Sequence, residues 1–263
     1  MMELTCGNFS LDLSSPAVMG ILNLTPDSFS DGGRFPDCDS AISHALAMVN
    51  DGAAIIDIGG ESTRPGAASV SVQQELDRLM PVVESLVVEL PVPVSVDTSK
   101  PEVMRAAISA GAGMINDVMA LRSEGAVDAV RDADNVALCL MHMQGAPRTM
   151  QQNPRYSYVV TEVRNFLLER ALVGERGGIA GSRLLLDPGV GVGPVWSTFK
   201  REAASPASSA DANMKPEVRV SMPMRTLPPD LPSTRAAAQQ SLSSNSGVTL
   251  SSPTLPRMPS VPK

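Results

Sequence analysis

Six short apolar runs between residues 18 and 186 each end in a polar cluster, and that alternation stops after Gly193. The runs are 18–22, 54–58, 92–96, 114–115, 136–141 and 184–186. Most lack apolar–polar alternation, which predicts parallel strands buried on both faces. Helical patterns separate them. Ala41, Ile42, Ala45, Leu46 and Val49 form one apolar stripe, with Gly52 as its stop. Val72, Leu76, Leu79, Val83, Leu86 and Leu90 form a second, and Pro81 predicts a kink or break within it. Ser99 and Glu102 have capping-box spacing, with Pro101 in the first turn. Val159, Val160, Val163, Phe166 and Leu167 open a last helix, which Gly177-Gly178 ends.

Strand alternating with helix predicts an α/β fold on a parallel sheet. A doubly wound sheet would gather its ligand groups at one switch point. Here every strand end carries a polar cluster, which favours the rim of a (β/α)8 TIM barrel. Only about six strand–helix units are visible, so the barrel is expected to be incomplete. Residues 194–263 are different material. They hold 11 of the 22 prolines, 13 serines, one glycine and no isoleucine, with 8 basic and 4 acidic residues. That composition predicts a disordered tail and a domain boundary near residue 193.

The strand-end clusters suggest chemistry. Asp97, Asn116 and Asp187 end three separate runs. Carboxylates and an amide converging in a barrel mouth suit the donor–acceptor edge of a planar heterocycle. Each could instead be a helix N-cap, the commoner role for any one of them. Asn23 with the loop 26–33 offers oxygens for Mg2+ and hydroxyls for phosphate. Arg64, in the glycine-flanked stretch 59–66, could hold a carboxylate or a diphosphate.

Other classes are disfavoured. The net charge of −7 argues against nucleic acid. Gly189, Gly191 and Gly193 do not complete a dinucleotide fingerprint, because Pro194 stands where the last glycine belongs. Two histidines, His44 and His142, are too few for a histidine metal cluster or a triad. Cys6, Cys38 and Cys139 lack metal spacing; Cys139 reads as a small buried hydrophobe, and a reducing cytoplasmic setting fits. No signal peptide and no membrane span are expected.

The stretch Met19-Gly20-Ile21-Leu22-Asn23-Leu24-Thr25-Pro26-Asp27-Ser28-Phe29-Ser30-Asp31-Gly32-Gly33 resembles the first signature of bacterial dihydropteroate synthases. Asp57-Ile58-Gly59-Gly60-Glu61-Ser62-Thr63-Arg64-Pro65-Gly66 resembles the second. Ser95-Val96-Asp97-Thr98-Ser99-Lys100-Pro101, Ile115-Asn116-Asp117, Met141-His142-Met143-Gln144-Gly145 and Leu186-Asp187-Pro188-Gly189 are similar to later segments, in family order.

The resemblance covers roughly residues 5–193. It implies a pterin-binding TIM barrel that condenses a dihydropterin-methyl diphosphate with p-aminobenzoate in folate synthesis. It implies Asp57, Asp97, Asn116 and Asp187 on the pterin. Thr63, Arg64 and Pro65 would lie in the loop that forms the p-aminobenzoate and sulfonamide pocket. Asn23 would serve Mg2+ and the diphosphate. A cytoplasmic homodimer with small-molecule partners is also implied, with no protein nucleophile. The chain departs from the family where Val192 and Pro194 stand near the family's Phe and Lys. The family's Ser-Arg-Lys and Arg-x-His motifs are not found after Gly193. Two alternatives follow: a catalytically dead remnant that at most binds pterin, and a pterin-binding domain of the methyltransferase type.

Overall fold

The computed structural model describes residues 3–24, 38–61, 69–145 and 156–189. The expectations for residues 26–33, for Thr63, Arg64 and Pro65, for the glycines after Gly189 and for residues 194–263 lie outside these.

All six apolar runs form strands. They are β3 (Met19–Asn23), β4 (Ile55–Gly59), β5 (Val94–Asp97), β6 (Met114–Asp117), β7 (Ala137–Met141) and β8 (Leu184–Asp187). Their order in the sheet is strictly sequential, and every pairing is parallel. Each connection is a helix: α1 (Cys38–Asn50), α2 (Val72–Glu89), α3 (Pro101–Ser109), α4 (Ala126–Val130) and α5 (Val159–Arg176). A doubly wound sheet reverses its strand order at a switch point, and this one does not. Among the described residues the sheet stops at six strands, with β3 and β8 at its edges.

The two faces of the sheet are buried against different partners. On the outer face Leu22, Ile58, Val96, Ile115, Leu138 and Leu186 pack with residues of all five helices, including Ala45, Leu79, Met104, Val130 and Val163. On the inner face Met19, Ile55, Met114, Ala137 and Leu185 pack with Leu4 and Cys6. These last two belong to a hairpin not anticipated above, β1 (Glu3–Cys6) with β2 (Phe9–Asp12). Its two-residue turn, Gly7-Asn8, starts with φ of 65° at Gly7, a conformation glycine adopts without strain. The hairpin therefore plugs the inner face at the end where the strands begin.

Two local expectations are corrected. Pro81 does not break α2, which runs unbroken from Val72 to Glu89. Pro81 is on the solvent side, where water can satisfy the carbonyl that loses its donor, while Leu79, Val82, Val83 and Leu86 hold the buried side. Ser99 does not cap α3. The N-cap is Lys100, without a side-chain hydrogen bond, and Pro101 opens the helix. The Ser99 hydroxyl donates to Asp117 at 2.6 Å, a charge-assisted bond that holds its side chain toward β6. The capping box belongs to α2. Ser71 Oγ accepts from Gln74 N–H, and Gln74 Oε1 accepts from Ser71 N–H.

Candidate functional site

In-register residues of a parallel sheet share a face, and every second residue returns to it. Asn23, Gly59, Asp97, Asn116 and Cys139 make one such row across β3–β7. Two residues earlier, Ile21, Asp57, Ser95, Met114 and Ala137 make the next. Met114 and Ala137 belong to the apolar cluster over the hairpin, so both rows lie on the inner face. Asp187 joins that face from β8, two residues beyond Leu185, which pairs with Cys139. The sheet thus places Asn23, Asp57, Asp97, Asn116 and Asp187 on one side, at the strand ends, above an apolar floor.

Contacts tighten the group. Asn116 Nδ2 donates to Asp57 Oδ2 at 3.0 Å, across the intervening strand. Gly59 has no side chain to separate its neighbours. A Cβ there would stand 3.6 Å from Asn23 Oδ1 and 3.8 Å from Asp97 Oδ2. Among the described residues, the other Asp57 oxygen, Oδ1, and Ser95 Oγ are buried without a hydrogen bond of good geometry, although Ser95 lies close enough to favour the Asp57 charge. A buried acceptor without a donor costs free energy, which an incoming N–H would recover. None of Asp57, Asp97 and Asn116 caps a helix; the caps of α2–α5 are Ser71, Lys100, Gly125 and Tyr158.

The electrostatics are those of crowded acids. Burial pushes the Asp97 carboxyl well above the usual carboxylate range, and the charges of Asp57, Asp117, Glu75 and Glu61 push it further. Burial also raises Asp57, with Ser95 and Asn116 acting in the opposite direction. Asp187 is raised by burial and held back by the Gly189 N–H, which donates to its Oδ1 at 2.8 Å. Burial and the surrounding carboxylates, Asp187 first, push the Cys139 thiol up, so it is inert as a nucleophile. A ligand edge rich in N–H donors, or one gaining positive charge, suits this face.

The turn after β8 fixes Asp187. The His142 N–H donates to the Asp187 carbonyl at 2.7 Å. Gly189 has φ of 71°, and a Cβ there would strike the His142 carbonyl oxygen. His142 itself is buried against Phe166, with ring centroids 5.1 Å apart. Burial lowers its pKa, keeping it a neutral packing residue.

Residues on the helix side were not anticipated. Lys100 pairs with both Glu61, just after β4, and Glu75 on α2, which is 1% exposed. Burial works against the Lys100 charge, but its hydrogen bonds to the two glutamates hold the ammonium above its usual range. Arg78 Nη1 donates to the Gly60 carbonyl at 2.9 Å. These bonds anchor the chain where it leaves β4. A charged residue four positions before Leu79, inside the apolar stripe of α2, was the available signal for Glu75.

No group of three or more His, Cys, Asp or Glu side chains could hold a metal ion among the described residues. Asn23, exposed at the end of β3, offers one amide oxygen beside Asp97. That donor set fits Mg2+ held by one or two protein oxygens, with water and substrate phosphates as the other ligands.

Residues 19–202 match the family model described as "Pterin binding enzyme". The dihydropteroate synthase of Escherichia coli is 53% identical over 192 residues, covering 73% of this chain and 68% of that protein. The solved Xanthomonas albilineans dihydropteroate synthase with 4-aminobenzoic acid superimposes with a TM-score of 0.69 at 50% identity, over 77% of this chain and 72% of that one. The Burkholderia cenocepacia enzyme complexed with 7,8-dihydropteroate gives a TM-score of 0.63 at 50% identity, over 72% and 64% of the two chains. The chain belongs to the dihydropteroate synthase family of transferases, whose fold is of the TIM-barrel type.

Proposed function

We propose that this chain condenses a dihydropterin-methyl diphosphate with p-aminobenzoate, giving dihydropteroate and diphosphate. The observation that carries the reading is the cluster at the mouth, in which buried Asp57 accepts from Asn116 and crowds the Asp97 carboxyl on one face of the sheet. Asp57, Asp97, Asn116 and Asp187 hold the pterin ring. Thr63, Arg64 and Pro65 form the p-aminobenzoate pocket, and Asn23 holds Mg2+ at the diphosphate.

In the reaction the methylene C–O bond breaks and its electron pair leaves with the diphosphate. The amine nitrogen of p-aminobenzoate forms the new C–N bond and gives up a proton. Positive charge develops on the pterin, and buried carboxylates aimed at that charge lower the barrier. Asn23 would hold Mg2+ through its amide oxygen, and the ion would supply charge to neutralise the leaving diphosphate. Asp57 and Asp97 hold the ring by its N–H edge, and no protein nucleophile is required. A cytoplasmic homodimer and a folded domain ending near residue 193 belong to the same reading. No described helix is long and apolar enough to cross a membrane.

The test is an assay with the diphosphate substrate, p-aminobenzoate and Mg2+, scoring diphosphate and dihydropteroate together. Equimolar release is expected. It will be slow, because the family's Ser-Arg-Lys and Arg-x-His motifs are not found here. Tight pterin binding without diphosphate release would overturn the enzyme reading in favour of a binding remnant. That second reading draws support from the unpaired edges of β3 and β8 among the described residues.

A further inference from the structure

Ala120 and Leu121, just beyond β6, have φ of 51° and 57°. Two consecutive left-handed residues that both carry a Cβ are strained, and such strain persists only where the surroundings over-determine it. Both are buried, and the turn is gripped from two sides. From β6, the Asp117 carboxylate accepts the Met119 N–H at 2.8 Å and the Leu121 N–H at 2.7 Å, besides the Ser99 hydroxyl. From α5, Arg170 Nε donates to the Ala120 carbonyl at 2.7 Å and Nη2 to the Leu121 carbonyl at 2.8 Å. The donors and acceptors of one short turn are thus answered by an anion and a cation, both tied to separate elements.

The clamp ends next to Asn116. Asp117 follows Asn116 on β6, so its side chain points into the helix layer while that of Asn116 points to the inner face. The Asn116 carbonyl accepts the Thr98 N–H at 3.1 Å, and its amide reaches Asp57. Val118 and Met119, within the clamped turn, pack with Met141 and Met143.

We propose that Asp117, Ser99 and Arg170 are positioning residues for pterin recognition, fixing the end of β6 so that Asn116 meets the ring in register. The proposal rests on the pterin reading given above. A glycine at either left-handed position would relieve the strain without charges. The chain instead commits a buried carboxylate and a half-buried guanidinium to holding this turn in one geometry.

The test is titration with pterin itself, followed by its own fluorescence, alongside thermal unfolding of the full chain. Arg170→Gln is expected to raise the pterin Kd about tenfold, the scale of losing an outer-shell partner of a ligating group. Arg170→Lys keeps the charge but can reach only one carbonyl, and about threefold is expected. In an Asn116→Ala background the same Arg170→Gln change should alter Kd by less than about twofold, because the effect passes through Asn116. Unchanged affinity in Arg170→Gln, or an equal loss in the Asn116→Ala background, would overturn the clamp while leaving the pterin reading intact. Absence of pterin binding by the unmodified chain would overturn both. Should Arg170→Gln not fold, Arg170→Lys and Ser99→Ala carry the test, and unchanged affinity in both refutes the proposal.

Discussion

Asp97 sets stability against function at a single residue. Its carboxyl is raised by burial and by four neighbouring acids, so the folded state holds its proton more tightly than the unfolded chain does. With more protons bound when folded, stability falls as pH rises from the ordinary carboxylate value of about 4 through the raised one. Asp97→Asn removes that penalty. The variant is expected to gain on the order of 1 kcal/mol near pH 7, with the gain fading toward pH 4, and to lose pterin affinity. Paired urea melts at the two pH values measure the first effect, and a variant less stable than the parent at pH 7 would refute it. The mouth residues were legible because each polar residue closes an apolar run, and a strand end at a barrel mouth is where ligand groups belong. The partners behind them were not. Arg170 lies some fifty residues from the carbonyls it grips, and Lys100 joins Glu61 to Glu75 across two elements, so no local pattern marks either pairing.

Among the elements, the six strands and the long helices followed from periodicity, whereas the features set by competition for partners did not. Ser99 and Ser71 both have capping-box spacing, yet only Ser71 caps, because α3 starts one residue later, at Pro101 after Lys100, and the Ser99 side chain is held by Asp117. The β1–β2 hairpin had a signal in Gly7-Asn8 between Leu4, Cys6 and Leu11, but strands of four residues are too short for alternation to stand out. Its seat is specific. Gly113, just before β6, leaves no room for a side chain, since a Cβ would lie 2.6 Å from the Cys6 carbonyl oxygen. Gly113→Ala is therefore expected to lift the hairpin and to destabilise the fold by about 2 kcal/mol, as overpacking against backbone does. The drop should appear as a lower urea midpoint with an unchanged slope. A midpoint equal to the parent's would mean that the hairpin does not press on the sheet there.

In the whole molecule the inner face divides into a closed end and a ligand end, and both are built within residues 3–189. Leu4 and Cys6 close over Met19, Ile55, Met114 and Leu185, and the polar rows stand at the opposite ends of the same strands. On the proposed reading, the six-strand arc carries Asp57, Asp97, Asn116 and Asp187, the residues assigned to the pterin ring. Diphosphate capture asks for cations, and Lys100, half-buried near the mouth, is already committed to two glutamates. The six described strands were readable from the six apolar runs; no further run follows residue 186, and the prolines and serines of residues 194–263 led to the expectation of a separate tail. Those two facts predict independence of the parts. A chain ended at residue 202, where similarity to the pterin-binding family stops, should unfold within about 2 °C of the full chain. It should also bind pterin within about twofold of the full chain, because no mouth residue is removed. Calorimetry and pterin titration of both chains decide the matter. A large fall in either would mean that the proline- and serine-rich segment supplies part of the sheet or of the pocket, despite its composition.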